Sequence, residues 1–227
     1  MNSCYNALDL HIHNNRGDQL ALIYDSPVTD TKKKYTYRQL RDRVAKVAGI
    51  LTNKGVVKGD RVVIYMPMIA EAVIAMLACA RIGAIHSVVF GGFAAHELAT
   101  RIEDAKPRVV ISASCGIEVS NIIPYKPILD EAIKQSSHKP TTCLIWQRPQ
   151  YKANMLPWRD VDWESEEERT QPVDCVPVLA TDPLYILYTS GTTGSPKGVI
   201  RSNGSHSVAM KCSMDNIYNA KPVDVFF

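Results

Sequence analysis

Apolar positions along this chain switch repeatedly between two periods. After Thr36, the residues Tyr37, Leu40, Val44, Val47 and Leu51 recur at helical spacing. Thr36 and Gln39 open that run as a capping box, each side chain satisfying the other's backbone N–H, and Gly55 supplies the stop. Residues 61–66 form a short β-rich run ended by Pro67, and a second helix is predicted over residues 69–82, closed by Gly83. The alternation continues with a strand over 85–90, a tight turn at Gly91-Gly92, and a helix over 93–106 that Pro107 ends. A strand over 108–114, a helix over 128–135 and a strand over 142–146 follow. Strands that alternate with helices predict an α/β fold, with parallel-rich sheets flanked by helices.

Between residues 147 and 182 the periodicity dissolves. Pro149, Pro157, Pro172 and Pro177 punctuate it, and the acidic stretch 162–168 reads as a solvated loop or short surface helix. Lys32-Lys33-Lys34 reads as a solvated loop ahead of the first helix, and the final apolar residues 224–227 as the first half of a strand.

Composition narrows the function classes. The chain has 227 residues, 46% hydrophobic and 22% charged, with a net charge of +3. That is globular composition, and a chain of this size can bury roughly 70–75% of its unfolded surface. The positive charges are scattered, which argues against a nucleic-acid partner. The longest apolar stretch, residues 69–85, contains Glu71 and Arg81 and therefore reads as a buried helix with no membrane role. The six cysteines include no C-x-x-C pair, which favours reduced, buried thiols over a disulfide framework or a zinc site. No third ligand accompanies His11 and His13, so no metal site is expected. Residues 1–10 are too polar for a secretory signal, and no targeting peptide is read in this chain.

The chemistry concentrates after the apolar run 184–188, which reads as a strand inside a sheet. It leads into Thr189-Ser190-Gly191-Thr192-Thr193-Gly194-Ser195-Pro196-Lys197-Gly198. The glycines let successive N–H groups converge on an anion, the hydroxyls of Thr189, Ser190, Thr192 and Thr193 add donors, and Lys197 adds a mobile positive charge. This is a phosphate loop. It is not a Walker A loop, because Lys197 follows Pro196 and precedes Gly198, and no dinucleotide fingerprint is present.

The string from Tyr188 to Gly198 resembles the phosphate-loop signature of the adenylate-forming enzymes. The segments 23–29, 59–62, 66–68 and 81–93 are similar to the acetyl- and propionyl-CoA synthetase branch, and 183–201 leans towards its propionate-preferring short-chain members. The resemblance covers essentially the whole chain. It implies a partial AMP-binding (adenylation) domain over residues 1–227, cut at both ends, with the mobile C-terminal domain absent. It further implies a ligase that uses MgATP, coenzyme A and a short-chain carboxylate, propionate or acetate. The reaction passes through an acyl-adenylate and releases pyrophosphate and AMP. In that scheme Thr189, Ser190, Gly191, Thr192, Thr193, Gly194 and Lys197 bind the ATP phosphates. Gly91, Gly92, Glu118, Val119, Ser120 and Asn121 are carried over as the CoA site. The turn 116–121 departs from the family by lacking arginine, whose bidentate fork neither Glu118 nor Asn121 replaces. No catalytic residue is expected within this chain, and it is predicted to be inactive alone. The alternative is a non-catalytic module that pairs with the full-length enzyme or retains weak nucleotide or CoA binding. The branch implies the mitochondrial matrix, with the cytosol as alternative.

Overall fold

The computed structural model describes residues 1–189 and 196–226. A π-helical turn (Tyr5–Asp9) runs into helix α1 (Leu10–His13). The chain then folds back as an antiparallel hairpin, β1 (Leu20–Ser26) with β2 (Thr31–Thr36). The tri-lysine run lies in β2 and is exposed there, so it is solvated as expected, but in a strand rather than a loop. In this separate two-stranded ribbon side chains alternate between faces, and all three lysines are exposed, so both faces meet solvent here.

Helix α2 (Tyr37–Asn53) begins at the expected capping box. Thr36 Oγ1 accepts from the Gln39 N–H at 3.2 Å, and Gln39 Oε1 accepts from the Thr36 N–H at 3.0 Å. The succession β3 (Arg61–Met66), α3 (Ala70–Arg81), β4 (Ile85–Phe90), α4 (Ala95–Ala105) and β5 (Val109–Ala113) matches the sequence pattern closely. Gly83 closes α3 at φ +69°, and Lys106 closes α4 in the left-handed region just before Pro107.

Beyond β5 the pattern reading departs from the structure. Residues 115–124 form a tight hairpin, β6 (Cys115–Glu118) against β7 (Asn121–Pro124), rather than a simple turn. Helix α5 (Tyr125–Gln135) starts three residues before the expected position, because Pro127 sits in its first turn, where no backbone N–H is needed. Strand β8 (Thr142–Trp146) is followed by a short parallel strand, β9 (Asp160–Asp162), and by α6 (Trp163–Arg169). The acidic stretch is thus helical, but Trp163 is fully buried and Glu166 nearly so, which corrects the reading of a merely solvated segment. Strand β10 (Pro183–Thr189), strand β11 (Lys197–Ser202) and helix α7 (Asn203–Asn216) complete the fold. Residues 224–226 are not in a strand, contrary to the expectation from their apolar character.

The main sheet has the order β11-β10-β4-β3-β5-β8-β9, antiparallel only at the β10–β11 edge. Strands β3, β5 and β8 are buried almost throughout. The chain leaves β3 on one side for β4 and returns to the other side for β5. Right-handed crossovers therefore put α3 and α4 on opposite faces of the sheet. Helix α3 packs with α2, and α4 with α5. Among the described residues no helix is long and apolar enough to cross a membrane.

Candidate functional site

The reversal of strand order at β3 makes a topological switch point, and in open α/β sheets ligands bind outside the carboxyl ends of the strands there. Three of the sequence-predicted segments leave from carboxyl ends on this side. Gly91-Gly92 follows β4, the 115–124 hairpin follows β5, and the glycine-rich loop follows β10.

Gly91, Gly92 and the hairpin are joined through two tyrosines that the sequence did not single out. Tyr65, near the end of β3, donates from its hydroxyl to the carbonyls of Gly91 (3.1 Å) and Phe93 (3.0 Å). Its ring lies 4.8 Å, centroid to centroid, from that of Tyr125 at the head of α5. A Cβ on Gly91 would stand 2.1 Å from the Tyr125 hydroxyl, and one on Gly116 would stand 2.3 Å from it. Both glycines are therefore there for close approach, not for an unusual φ. Burial, with the nearby Glu118 carboxylate, pushes the Tyr125 phenol up to about 12, so it stays protonated. Arg148 closes the base of the hairpin, donating from Nη1 to the Cys115 carbonyl at 3.1 Å, while its N–H donates to Ser114 Oγ at 2.8 Å.

At the hairpin tip Glu118 pairs with Asn121, and Val119 and Ser120 make the turn. Val119 is 90% exposed at φ +57°, a region costly for a β-branched side chain. Glu118, Ser120 and Asn121 are exposed beside it, so all four expected positions share one tip.

The phosphate-loop prediction is only partly reached. Thr189 and Lys197 are described: they face each other as the last pair of the β10–β11 ladder, and both are exposed. Ser190, Gly191, Thr192, Thr193 and Gly194 lie outside the described residues. The run leading into the loop is less enclosed than expected, since only Leu184 in it is fully buried. β10 lies next to the sheet edge, and its only partner on the inner side, β4, meets it in a short pairing around Tyr185 and His86.

Helix α4 connects the two regions. The Arg101 guanidinium carbon lies 4.5 Å above the ring of Phe93, which follows Gly92, and 5.7 Å from the ring of Tyr188, which precedes Thr189. The Tyr188 hydroxyl donates to Asp104 at 2.5 Å. A groove of about 680 Å³ lined by His96, Thr100, Glu103, Asp104, Tyr188 and Pro196 runs alongside. Arg101 was legible only as a helical charge, and Tyr188 only as the first residue of the signature string, because their contacts depend on packing between segments far apart in the chain.

A larger groove, about 1060 Å³, opens elsewhere between α3, β4, β10 and α7, and among the described residues none of the predicted phosphate or CoA positions lines it. Its walls include Val73, Met76, Leu77 and Met210, with His86, Tyr185 and His206 stacked beside them.

Comparison with known proteins follows this geometry. The family model described as AMP-binding enzyme matches residues 10–227. The chain is 55% identical to the mitochondrial acyl-CoA synthetase short-chain family member 3 of Rattus norvegicus, across the whole chain and 33% of that protein. It is 50% identical to propionate–CoA ligase of Escherichia coli (strain K12), again over the whole chain and 36% of the relative. Acetoacetyl-CoA synthetase from Streptomyces lividans superposes with a TM-score of 0.87 at 26% identity, covering 98% of this chain and 33% of that one. The chain thus spans about a third of the length of the relatives it matches.

Proposed function

Because this chain belongs to the AMP-binding enzyme family, we propose that it is the nucleotide-phosphate and CoA-facing part of an AMP-forming short-chain acyl-CoA synthetase. The longer enzyme would activate propionate or acetate with MgATP, releasing pyrophosphate, and pass the acyl group to the thiol of coenzyme A. The adenylation domain is shared by residues 1–227 with sequence outside them. The mitochondrial matrix is its proposed location, after the relatives named as mitochondrial.

The observation that carries this reading is the common origin of three segments at strand carboxyl ends, with Tyr65 and Tyr125 joining the first two and Arg101 reaching from Phe93 to Tyr188. In the first half-reaction the loop closed by the Thr189–Lys197 pair stabilises charge growing on the departing pyrophosphate, with Lys197 as the mobile cation. In the second, Gly91, Gly92 and the Val119-Ser120 tip receive coenzyme A. Tyr65 and Tyr125 hold these two pieces against each other as positioning residues.

The test is pyrophosphate release and MgATP binding by the purified 227-residue chain, with coenzyme A and either acid present. No turnover is expected, together with weak MgATP binding that Lys197→Ala reduces several-fold. Acid- and CoA-dependent turnover would refute the silent-segment reading. Unchanged binding in Lys197→Ala would remove the phosphate role from this loop.

A further inference from the structure

Away from the site just described, three segments distant in sequence bring two thiols, a carboxylate and a guanidinium together. Cys4 precedes the π-helical turn, Asp9 ends it, Arg81 ends α3, and Cys175 lies in the extended proline-punctuated strap that follows α6. The two sulfurs and an Asp9 carboxylate oxygen all lie within 4.8 Å of one another. Arg81, whose side chain is 2% exposed, donates from Nη1 to Cys175 Sγ (3.1 Å), Cys4 Sγ (3.7 Å) and Asp9 Oδ2 (2.8 Å). Its Nη2 reaches Asp9 Oδ1 at 3.1 Å, and its Nε the Val173 carbonyl at 2.7 Å.

The spacing would suit a small metal site, but the space between the ligands is already taken by a cation. A metal would have to expel Arg81 from its contacts with Asp9, both sulfurs and Val173, and a freed, buried guanidinium is costly. The arrangement instead suits thiol chemistry. We propose that Cys4 and Cys175 are an oxidation site that closes to an intramolecular disulfide on exposure to a peroxide, with Arg81 as the residue that readies the pair.

Several features set this pair apart from the other cysteines. Cys79 and Cys143 are enclosed, and burial pushes both thiols up, Cys143 to about 12. Cys212 is free and exposed. In the Cys4–Cys175 pair, the hydrogen bond from the Cys175 thiol and the Arg81 charge hold Cys4 below its ordinary value despite its burial, while that same hydrogen bond and burial raise Cys175, so Cys4 is the sulfur that ionises and Cys175 the one that resolves. Cys4 is fully buried, whereas Cys175 is only partly so and gives an oxidant access.

Backbone contacts fix the strap before any bond forms. Val173 N–H donates to Ala45 O at 3.1 Å and Val176 N–H to Arg81 O at 2.9 Å, while the buried Asn2 amide donates to Val176 O at 2.8 Å. The sulfurs start within 4.8 Å of each other and must close to a bond of about 2.05 Å.

The step balances with the peroxide as oxidant. One proton leaves the pair, and the resulting thiolate sulfur attacks a peroxide oxygen. The O–O bond breaks, hydroxide leaves, and a sulfenic acid forms. The second sulfur then displaces the sulfenic oxygen, which departs with the remaining thiol proton as water. Two thiols are oxidised by two electrons and one peroxide is reduced to two waters. Arg81 keeps its ion pair with Asp9 throughout.

The experiment treats the 227-residue chain, in a Cys212→Ser background, with hydrogen peroxide, then unfolds and alkylates it for non-reducing peptide mapping. A Cys4–Cys175 linked peptide is expected as the main product, lost on dithiothreitol treatment, and the oxidised chain melts at a higher temperature than the reduced one. Arg81→Lys should form the link about ten-fold more slowly, as a one-unit rise in thiol pKa would dictate. In the unsubstituted pair the pH midpoint of the reaction should fall below the roughly 8.5 of a free thiol, a measurement that stands even if the Arg81 variant does not fold. Recovery of both cysteines alkylated, after peroxide has oxidised an equal concentration of glutathione, would overturn the proposal. So would a midpoint at or above that of glutathione.

Discussion

His86 shows how one residue can carry a penalty that depends on its surroundings. Its imidazole is buried between Tyr185 and the large groove, and its Nδ1 has no hydrogen-bond partner among the described residues. Burial, and then the nearby His206, pushes it from an ordinary 6.5 down to about 4, so the folded protein holds it neutral. The unfolded chain takes up a proton below about 6.5 while the folded chain does not, so stability is complete above that pH and drains away as pH falls towards 4. The loss approaches about 3 kcal/mol at the acid end of that window. Urea denaturation at pH 7.5 and pH 4.5 should show that fall, and His86→Phe should flatten it. An equal fall in both proteins would assign the effect to other groups. Depressed carboxylates such as Asp182 and Glu166 act lower, since their contribution is present above the ordinary carboxylate range and lost as pH falls through it. Val119 carries a different local cost, a β-branched side chain at φ +57° with 90% exposure. Val119→Gly removes that strain, worth about 1–2 kcal/mol. It should raise the melting temperature by roughly 2–8 °C, read by calorimetry. A fall would mean that the valine side chain contributes contacts outweighing its backbone strain.

At the scale of elements, charged side chains do work that hydrophobic periodicity does not reveal. The stretch between β8 and β10 has little apolar pattern, yet it is clamped to the sheet by buried ion pairs. Lys126 (side chain 3% exposed) pairs with Asp160 (0%) at 2.8 Å and with Asp130 at 2.6 Å. Arg159 pairs with Asp160 at 2.8 Å and with Asp130 as well. Burial alone would raise the Asp160 carboxyl, but hydrogen bonds from Arg159 and Lys126 outweigh it and hold the group below its ordinary value. Helix α6 is held similarly, by Arg43 to Glu167 at 2.9 Å and Lys54 to Glu166 at 3.1 Å around the buried Trp163. Removing one member of such a cluster strands the others, which costs about 3–5 kcal/mol. Asp160→Ala should therefore lower the melting temperature by roughly 6–20 °C. A change below one degree would show that water reaches the cluster and screens it.

For the whole molecule, the same sheet that buries the core gathers the candidate site. Strands β3, β4, β5 and β10 run parallel, so their carboxyl ends lie on one side, and Gly91-Gly92 and the 115–124 hairpin meet there. Magnitudes support the proposed silence of a chain of this extent. Enzymes typically lower barriers by about 8–23 kcal/mol. A single oxyanion-type donor accounts for roughly 2.7–4 kcal/mol, so one phosphate loop falls short of the total. The large apolar groove beside α7 adds a second property of the whole, an open face whose filling would bury Val73, Met76 and Leu77.

Much was legible in residue order because the relevant physics is local. The capping box at Thr36, the stops at Gly55, Gly83 and Pro107, and the β-branched runs at 61–66 and 142–146 act within a few residues of themselves, and each lies where expected. The α/β class followed from the same local signals, and the family from the resemblance carried by the glycine-rich string and by the segments 23–29, 59–62, 66–68 and 81–93. What only the tertiary structure decided depends on groups that meet across long sequence separations. Tyr65 and Tyr125 clamp Gly91 against the hairpin, Arg101 spans two loops, and Lys126 waits for Asp160. In the sequence, a buried ion pair reads as two surface charges and a close-approach glycine reads as a turn. Burial and partner choice exist only once distant segments share the same space, and that is why those residues were silent until the chain was folded.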